Sequence, residues 1–240
     1  IAMIGLGVMG EPICRNLLKK SGRPIVAFDL ASEPLARLRA EGATTATSVA
    51  EVMAQSDFVL CCLPSGKHLR SLFEGNGGVL ESARRGQIVV DLGTSPVALA
   101  RELAEKLEAK GVAFADAPIA RTREAAVNGT LSVMVGASAD LYAKVEPVIR
   151  HFATEVTNCG GIGAGQVTKI LNNMVLFQTV NALAEAAAIA RRSGVEPKLL
   201  FETLSKGSAD SFALRNHGLK AVIPNEFPER AFSTEYALKD

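Results

Sequence analysis

The first 160 residues alternate short apolar runs with amphipathic stretches. Residues 1–6, 25–28, 58–63, 88–92 and 112–115 are apolar runs with the length and content of buried strands. The stretches between them read as helices with recognisable ends. Gly22, Gly42 and Gly111 stand where a helix closes in the left-handed conformation. Ser48-Val49-Ala50-Glu51 reads as a capping box, and Ser95-Pro96 as a helix N-cap followed by its first residue. Two further strands are expected at 131–135 and 155–157, joined by a helix over 139–152. Strand–helix alternation at this spacing predicts βαβ units, a parallel sheet and right-handed crossovers.

The pattern changes after the cluster Gly160-Gly161-Ile162-Gly163-Ala164-Gly165. Residues 166–193 form one long helical pattern rich in Ala, Leu, Ile and Val, closed by Gly194. Pro197 can start another helix. The long helix is apolar on more than one face, so burial on several sides, including against a second subunit, is expected. The predicted class is therefore α/β: a strand–helix domain over 1–162, then an all-α domain over 163–240. The chain opens inside a strand and closes inside a helical pattern whose Phe232, Tyr236 and Leu238 need cover. Further helices are expected beyond Lys239-Asp240.

Composition narrows the function. The chain has 240 residues, 48% hydrophobic, with net charge +1, enough for a substantial core and without the charge that draws a protein to nucleic acid or membranes. No apolar run reaches membrane-spanning length. Four cysteines, Cys14, Cys61, Cys62 and Cys159, lack metal-site spacing; reduced, buried thiols in a cytosolic or organellar-matrix protein are the expectation, with the cytoplasm preferred. His68, His151 and His217 are scattered, so no metal site is expected.

Candidate chemistry begins at Gly5-Leu6-Gly7-Val8-Met9-Gly10, directly after the first apolar run. A G-x-G-x-x-G alone is a weak signal. Here it follows a strand, opens a helix over 10–20, and precedes Asp29 at the end of the next strand. Gly5 permits the tight turn, Gly7 the approach of a pyrophosphate, and Gly10 close helix–strand packing; the helix N-terminus favours the phosphate charge. Asp29 can accept both ribose hydroxyls of NAD and would repel the 2′-phosphate of NADP; residues 30–36 contain no arginine to receive that phosphate.

The second candidate is Gly165-Gln166-Val167-Thr168-Lys169-Ile170-Leu171-Asn172-Asn173. Lys169 and Asn173, four residues apart, share a helix face, with Asn172 beside it. Adjacent asparagines are poor helix formers, so another advantage must retain them. A desolvated lysine can exchange protons near neutrality, which suits an acid/base role; a solvated lysine with two surface amides would have the same spacing.

Five blocks carry a resemblance over essentially the whole chain. They are Ile4 to Gly10; Leu63-Pro64; Asp91-Leu92-Gly93-Thr94-Ser95-Pro96; Asp116-Ala117-Pro118 with Gly129-Thr130-Leu131; and Gly165 to Lys169 with Asn172-Asn173. The chain resembles the β-hydroxyacid dehydrogenase family, whose branches include 3-hydroxyisobutyrate dehydrogenases, tartronate semialdehyde reductases and sulfolactaldehyde reductases. The resemblance implies a Rossmann-type domain over 1–162 and an all-α domain over 163–240 for substrate and dimerisation, in an NAD-dependent oxidoreductase that acts on a small anionic substrate as a homodimer or homotetramer. It implies Lys169 as catalytic acid/base, with Asn173 holding it or the substrate and Asn172 and Thr122 positioning substrate. Leu63, Pro64 and Thr94 would contact the cofactor, and Lys239 would lie near the nicotinamide. The substrate site is expected in a cleft between the two domains.

One block departs. The common family pattern continues Asp-Ala-Pro with a small residue and Ser-Gly-Gly; here stands Ile119-Ala120-Arg121-Thr122-Arg123. This is more like the sulfolactaldehyde reductase branch, and it makes Arg121 a candidate anion clamp, against the plain alternative of a solvated loop arginine. The alternatives carried forward are a sulfonate- or dicarboxylate-semialdehyde reductase and a non-catalytic dinucleotide-binding module. An imine-reducing relative is disfavoured because that group typically lacks the lysine.

Overall fold

Residues 1–227 are described by a computed structural model, in which the apolar runs become a nine-stranded sheet. In chain order β1 (Ala2–Ile4) leads to α1 (Gly10–Lys20), β2 (Val26–Phe28) to α2 (Ser32–Ala40), and β3 (Thr44–Thr45) to α3 (Val49–Gln55). Then β4 (Phe58–Cys61) is followed by α4 (Gly66–Glu74) and α5 (Val79–Ser82), and β5 (Ile88–Asp91) by α6 (Val97–Glu108). After β6 (Ala113–Asp116) come β7 (Ile119–Ala120), α7 (Arg123–Asn128), β8 (Leu131–Gly136), α8 (Ala139–Ile149) and β9 (Ala153–Gly160). The strand order is β3-β2-β1-β4-β5-β6-β8-β7, with β9 also paired to β8. The first six strands are parallel in Rossmann order, and the order reverses between β1 and β4.

Period-two alternation places side chains on both faces of this sheet, and both are covered. Met3, Ala27, Leu60, Val90 and Ala115 enter one core with Ile13 and Leu17 of α1. Ala2, Ile4, Val59, Cys61, Val89 and Phe114 enter the other with Leu69, Phe73 and Leu103. Each fully buried leucine contributes about 1.5–3 kcal/mol relative to exposure.

Three local expectations need correction. The sheet is not wholly parallel: β8 pairs antiparallel with both β6 and β7. The two-residue β7 lacks the length to register as an apolar run. Ser95 is not a helix cap, since α6 begins at Val97 with Pro96 at the N-cap, and Ser95 is engaged elsewhere. Ser48 does cap α3 by accepting from Glu51 N at 3.1 Å. The Glu51 carboxylate, however, turns one residue further back, to Thr47 N at 2.7 Å.

The chain divides into two compact units after Lys169. Helix α9 (Ala164–Arg192) runs across that division. In the second unit, among the described residues, α9 is followed by α10 (Pro197–Leu204) and a π-helical segment (Leu214–Val222). Leu183, Ala187, Phe201, Ala213 and Leu214 form its core. Gly218 lets the π-helical backbone lie against the Phe201 ring, where a Cβ would come within 2.8 Å. Lys239, Phe232, Tyr236 and Leu238 lie outside the described residues.

Candidate active site

The carboxyl ends of the parallel strands collect the predicted cofactor residues. Gly5 follows β1 with φ +88°, a left-handed turn, and its N–H donates to Phe28 O at 2.9 Å. A Cβ at Gly5 would collide with Cys62 O, and one at Gly10 with Gly5 O, so this loop and the start of α1 fit only without side chains. Nothing lies within 4 Å of a Cβ position at Gly7, which leaves its backbone open to approach. No side chain caps the first turn of α1, whose N-cap is Met9. Uncapped N–H groups beside an open glycine backbone fit a pyrophosphate. Leu6 is buried beneath the loop, and Val8 is 52% exposed above it.

Asp29, at the end of β2, is half-buried. Its Oδ2 accepts from Leu6 N at 2.5 Å and its Oδ1 from Ala31 N at 2.8 Å. An ionised carboxylate offers about four lone-pair directions, so capacity remains for a ribose diol. Leu63 and Pro64 follow β4, and Thr94 follows β5. A Cβ at Gly93 would stand 3.1 Å from Leu63 O, so these two loops are adjacent.

The start of α9 joins the same edge. Asp116, the last residue of β6, is fully buried and caps α9: Oδ1 accepts from Gly163 N at 2.6 Å and Oδ2 from Gln166 N at 2.8 Å. Burial raises its carboxyl above the ordinary aspartate range, against the lowering effect of those N–H donors. Gln166, also fully buried, reaches the loop after β5, donating from Nε2 to Gly93 O at 2.8 Å and accepting at Oε1 from Ser95 N at 3.0 Å. Asp91 completes the network, accepting from Gly93 N and Ser95 Oγ, both at 2.9 Å. One turn beyond Gln166 stands Lys169, only 9% exposed. Asn173, four residues further on, is 3% exposed, whereas Asn172 is exposed and donates to Asn173 Oδ1 at 3.1 Å.

The comparisons with known proteins agree with this architecture. Residues 1–161 match the model of the NAD binding domain of 6-phosphogluconate dehydrogenase. Residues 163–240 match that of the NAD-binding domain of NADP-dependent 3-hydroxyisobutyrate dehydrogenase. The chain belongs to the β-hydroxyacid dehydrogenase family. It is 35% identical to the 3-hydroxyisobutyrate dehydrogenase of Pseudomonas aeruginosa, over 99% of this chain and 78% of that one. It is 33% identical to the 2-(hydroxymethyl)glutarate dehydrogenase of Eubacterium barkeri, over 95% of this chain and 75% of that one. Among solved structures, Mycobacterium tuberculosis 3-hydroxyisobutyrate dehydrogenase with L-serine superposes with a TM-score of 0.87 at 30% identity, covering 95% of this chain and 79% of that one.

This NAD-binding dehydrogenase departs from the family pattern at a defined backbone point. Arg121 occupies a glycine position of the Ser-Gly-Gly pattern and adopts φ +82°, which only glycine visits without strain. Its Nη1 donates to Thr130 O at 2.6 Å and to Thr154 Oγ1 at 3.0 Å. Thr122 is the N-cap of α7, its hydroxyl accepting from Ala125 N at 3.4 Å. Arg123 opens α7 and is exposed. The arginine side chain thus closes onto β9 and the residue before β8 in its own domain. Asp91, Asp116 and Gln166 stood inside the resemblance blocks without an assigned role, and Ser95 with one only as a helix cap. Their signal was a polar residue ending each of two apolar strands and a glutamine opening an apolar helix.

Proposed function

We propose that this enzyme oxidises a 2-substituted 3-hydroxypropanoate to its semialdehyde with NAD, and catalyses the reverse reduction. The observation that carries the reading is the burial of Lys169 on a helix whose first turn is hydrogen-bonded to the loop after β5. The names of the relatives share one chemistry: 3-hydroxyisobutyrate, 2-(hydroxymethyl)glutarate and L-serine all have a CH₂OH one carbon from a carboxylate. They differ only in the substituent at C2.

The chain's residues take these roles. Gly5 and Leu6 shape the loop, Gly7, Val8, Met9 and Gly10 present backbone N–H groups to the pyrophosphate, Asp29 accepts from the adenosine ribose, and Leu63, Pro64 and Thr94 line the nicotinamide end. Lys239 stands in the same proposed group through the family pattern. When bound, NAD supplies hydride acceptance from the alcohol carbon. Lys169 takes the hydroxyl proton during oxidation and returns it during reduction; Asn173 and Asn172 hold the lysine and the substrate oxygen. The domain over 163–240 carries the substrate residues of the long helix. Leu171, Met174 and Val175, at 50%, 47% and 57% exposure, make an apolar stripe on α9 that suits pairing with a second copy. No helix among the described residues is long and apolar enough to cross a membrane. The four cysteines form no disulfide, which suits the cytoplasm.

A second reading has its own observation. Arg121, where the pattern has glycine, would favour a substrate whose C2 substituent is itself anionic, a carboxylate or sulfonate. The test is NADH formation with 3-hydroxyisobutyrate, L-serine, 2-(hydroxymethyl)glutarate and a hydroxy-sulfonate, for the parent and Lys169→Ala. The lysine variant should lose about 10²–10⁴ in kcat while still binding NADH. Normal turnover by that variant, or a parent inert to the whole panel, removes the reading.

A further inference from the structure

We infer that Gln166 is a positioning residue, which holds the Gly93–Ser95 loop and the lysine helix at a set separation. The inference rests on the roles proposed above for Thr94 and Lys169. Both polar atoms of the Gln166 amide are spent on that loop: Nε2 on Gly93 O at 2.8 Å and Oε1 on Ser95 N at 3.0 Å. The two partners flank Thr94, so the amide straddles the residue assigned to the cofactor. Asp91 holds the same loop from the other side, through Gly93 N and Ser95 Oγ. The Gln166 N–H is bonded to Asp116 Oδ2, so the strut is itself anchored to the end of β6.

Capping α9 needs only Asp116, but an apolar side chain at position 166 would leave Gly93 O and Ser95 N buried without partners. A carboxamide is what pairs with a backbone N–H and a backbone C=O of one loop at once. Gln166, Lys169 and Asn173 stand at i, i+3 and i+7, one stripe of α9, at 0%, 9% and 3% exposure. A shift of the loop relative to this stripe would move Thr94 relative to Lys169. Misplacement of about 1 Å in a reacting pair costs roughly 10²-fold.

Two variants test this, with NAD and the most active hydroxyacid of the panel. Gln166→Met keeps the length and removes both hydrogen bonds. It should lower kcat by about 10- to 100-fold while NADH affinity stays near the parent's; Tm falls modestly, because Gly93 O and Ser95 N lose their buried partner. Gln166→Glu can donate and accept only when protonated; ionised, it opposes Gly93 O. The neighbouring charged groups are Asp91 and Asp116 from β5 and β6, and Lys169 from α9; the two acids favour the protonated form. Its kcat relative to the parent should therefore rise as pH falls, whereas the Gln166→Met ratio stays flat. An unchanged kcat in Gln166→Met overturns the inference, as does a fall in NADH affinity that accounts for the loss. If Gln166→Met does not fold, a pH-independent Gln166→Glu ratio overturns it instead. Lys169→Ala run in parallel separates the two readings. Full activity there removes the acid/base assignment, whereas an inactive Lys169→Ala beside unaffected Gln166 variants removes the strut alone.

Discussion

The Asp29 carboxylate accepts the Leu6 amide at 2.5 Å, so the residue just after β2 also holds the glycine loop that follows β1. One side chain thus serves loop geometry and, in the proposed function, ribose recognition. NAD(H) should be preferred over NADP(H), because a 2′-phosphate would meet this anion. Asp29→Ala should narrow that preference and weaken NADH binding. Comparing kcat/KM for the two cofactors checks this; equal or better use of NADPH by the parent would falsify it.

Arg121 offers a test of specificity. If its guanidinium serves substrate, Arg121→Ala should raise KM for a dicarboxylate such as 2-(hydroxymethyl)glutarate far more than for 3-hydroxyisobutyrate. If its work is confined to Thr130 O and Thr154 Oγ1, both KM values move together. The ratio of the two kcat/KM changes decides.

Asp116 makes a stability prediction with a sign. Replacement by alanine leaves Gly163 N and Gln166 N without their acceptor, a cost of about 1–3 kcal/mol per buried donor. Burial holds the folded-state carboxyl above its ordinary value. The folded protein then binds that proton more tightly than the unfolded chain does. This contribution is complete below the unfolded value and is lost as pH rises through the folded one. The Tm advantage of the parent over Asp116→Asn should therefore shrink as pH rises from the ordinary aspartate range. An advantage that grows over that interval contradicts the assignment.

The thiols should differ in reactivity. Burial pushes Cys14 up to about 12 and Cys61 well above the ordinary thiol range. Cys159 is partly exposed. Iodoacetamide at mildly alkaline pH, read by peptide mass spectrometry, should label Cys159 in the native protein and reach Cys14 and Cys61 only after denaturation. Early labelling of Cys14 would show that α1 does not stay packed on the sheet.

Much was legible because its causes are local. Gly5 turns at φ +88°, Gly10 tolerates no side chain because of Gly5 O five residues back, and Ser48 caps its helix from three residues away. The apolar runs that became β1, β4 and β5 needed only to be buried on both faces, and a continuous apolar run declares that. The long helix announced itself by composition and by Gly194, which closes it at φ +74°.

The sequence by itself determined the dinucleotide loop, the alternation of strand and helix and the lysine helix, since each rests on backbone preferences and hydrophobic period. Tertiary structure alone decided where the polar side chains spend their hydrogen bonds. Ser95 looked like a helix cap until Gln166, 71 residues away, and Asp91 claimed it. Asp116 finds Gly163 across 47 residues, and Arg121 finds Thr154 across 33. A buried donor or acceptor must be paired, but any chain segment that the fold brings close can supply the partner. Periodicity says which residues go inside; only the packed sheet and helices say which of them meet.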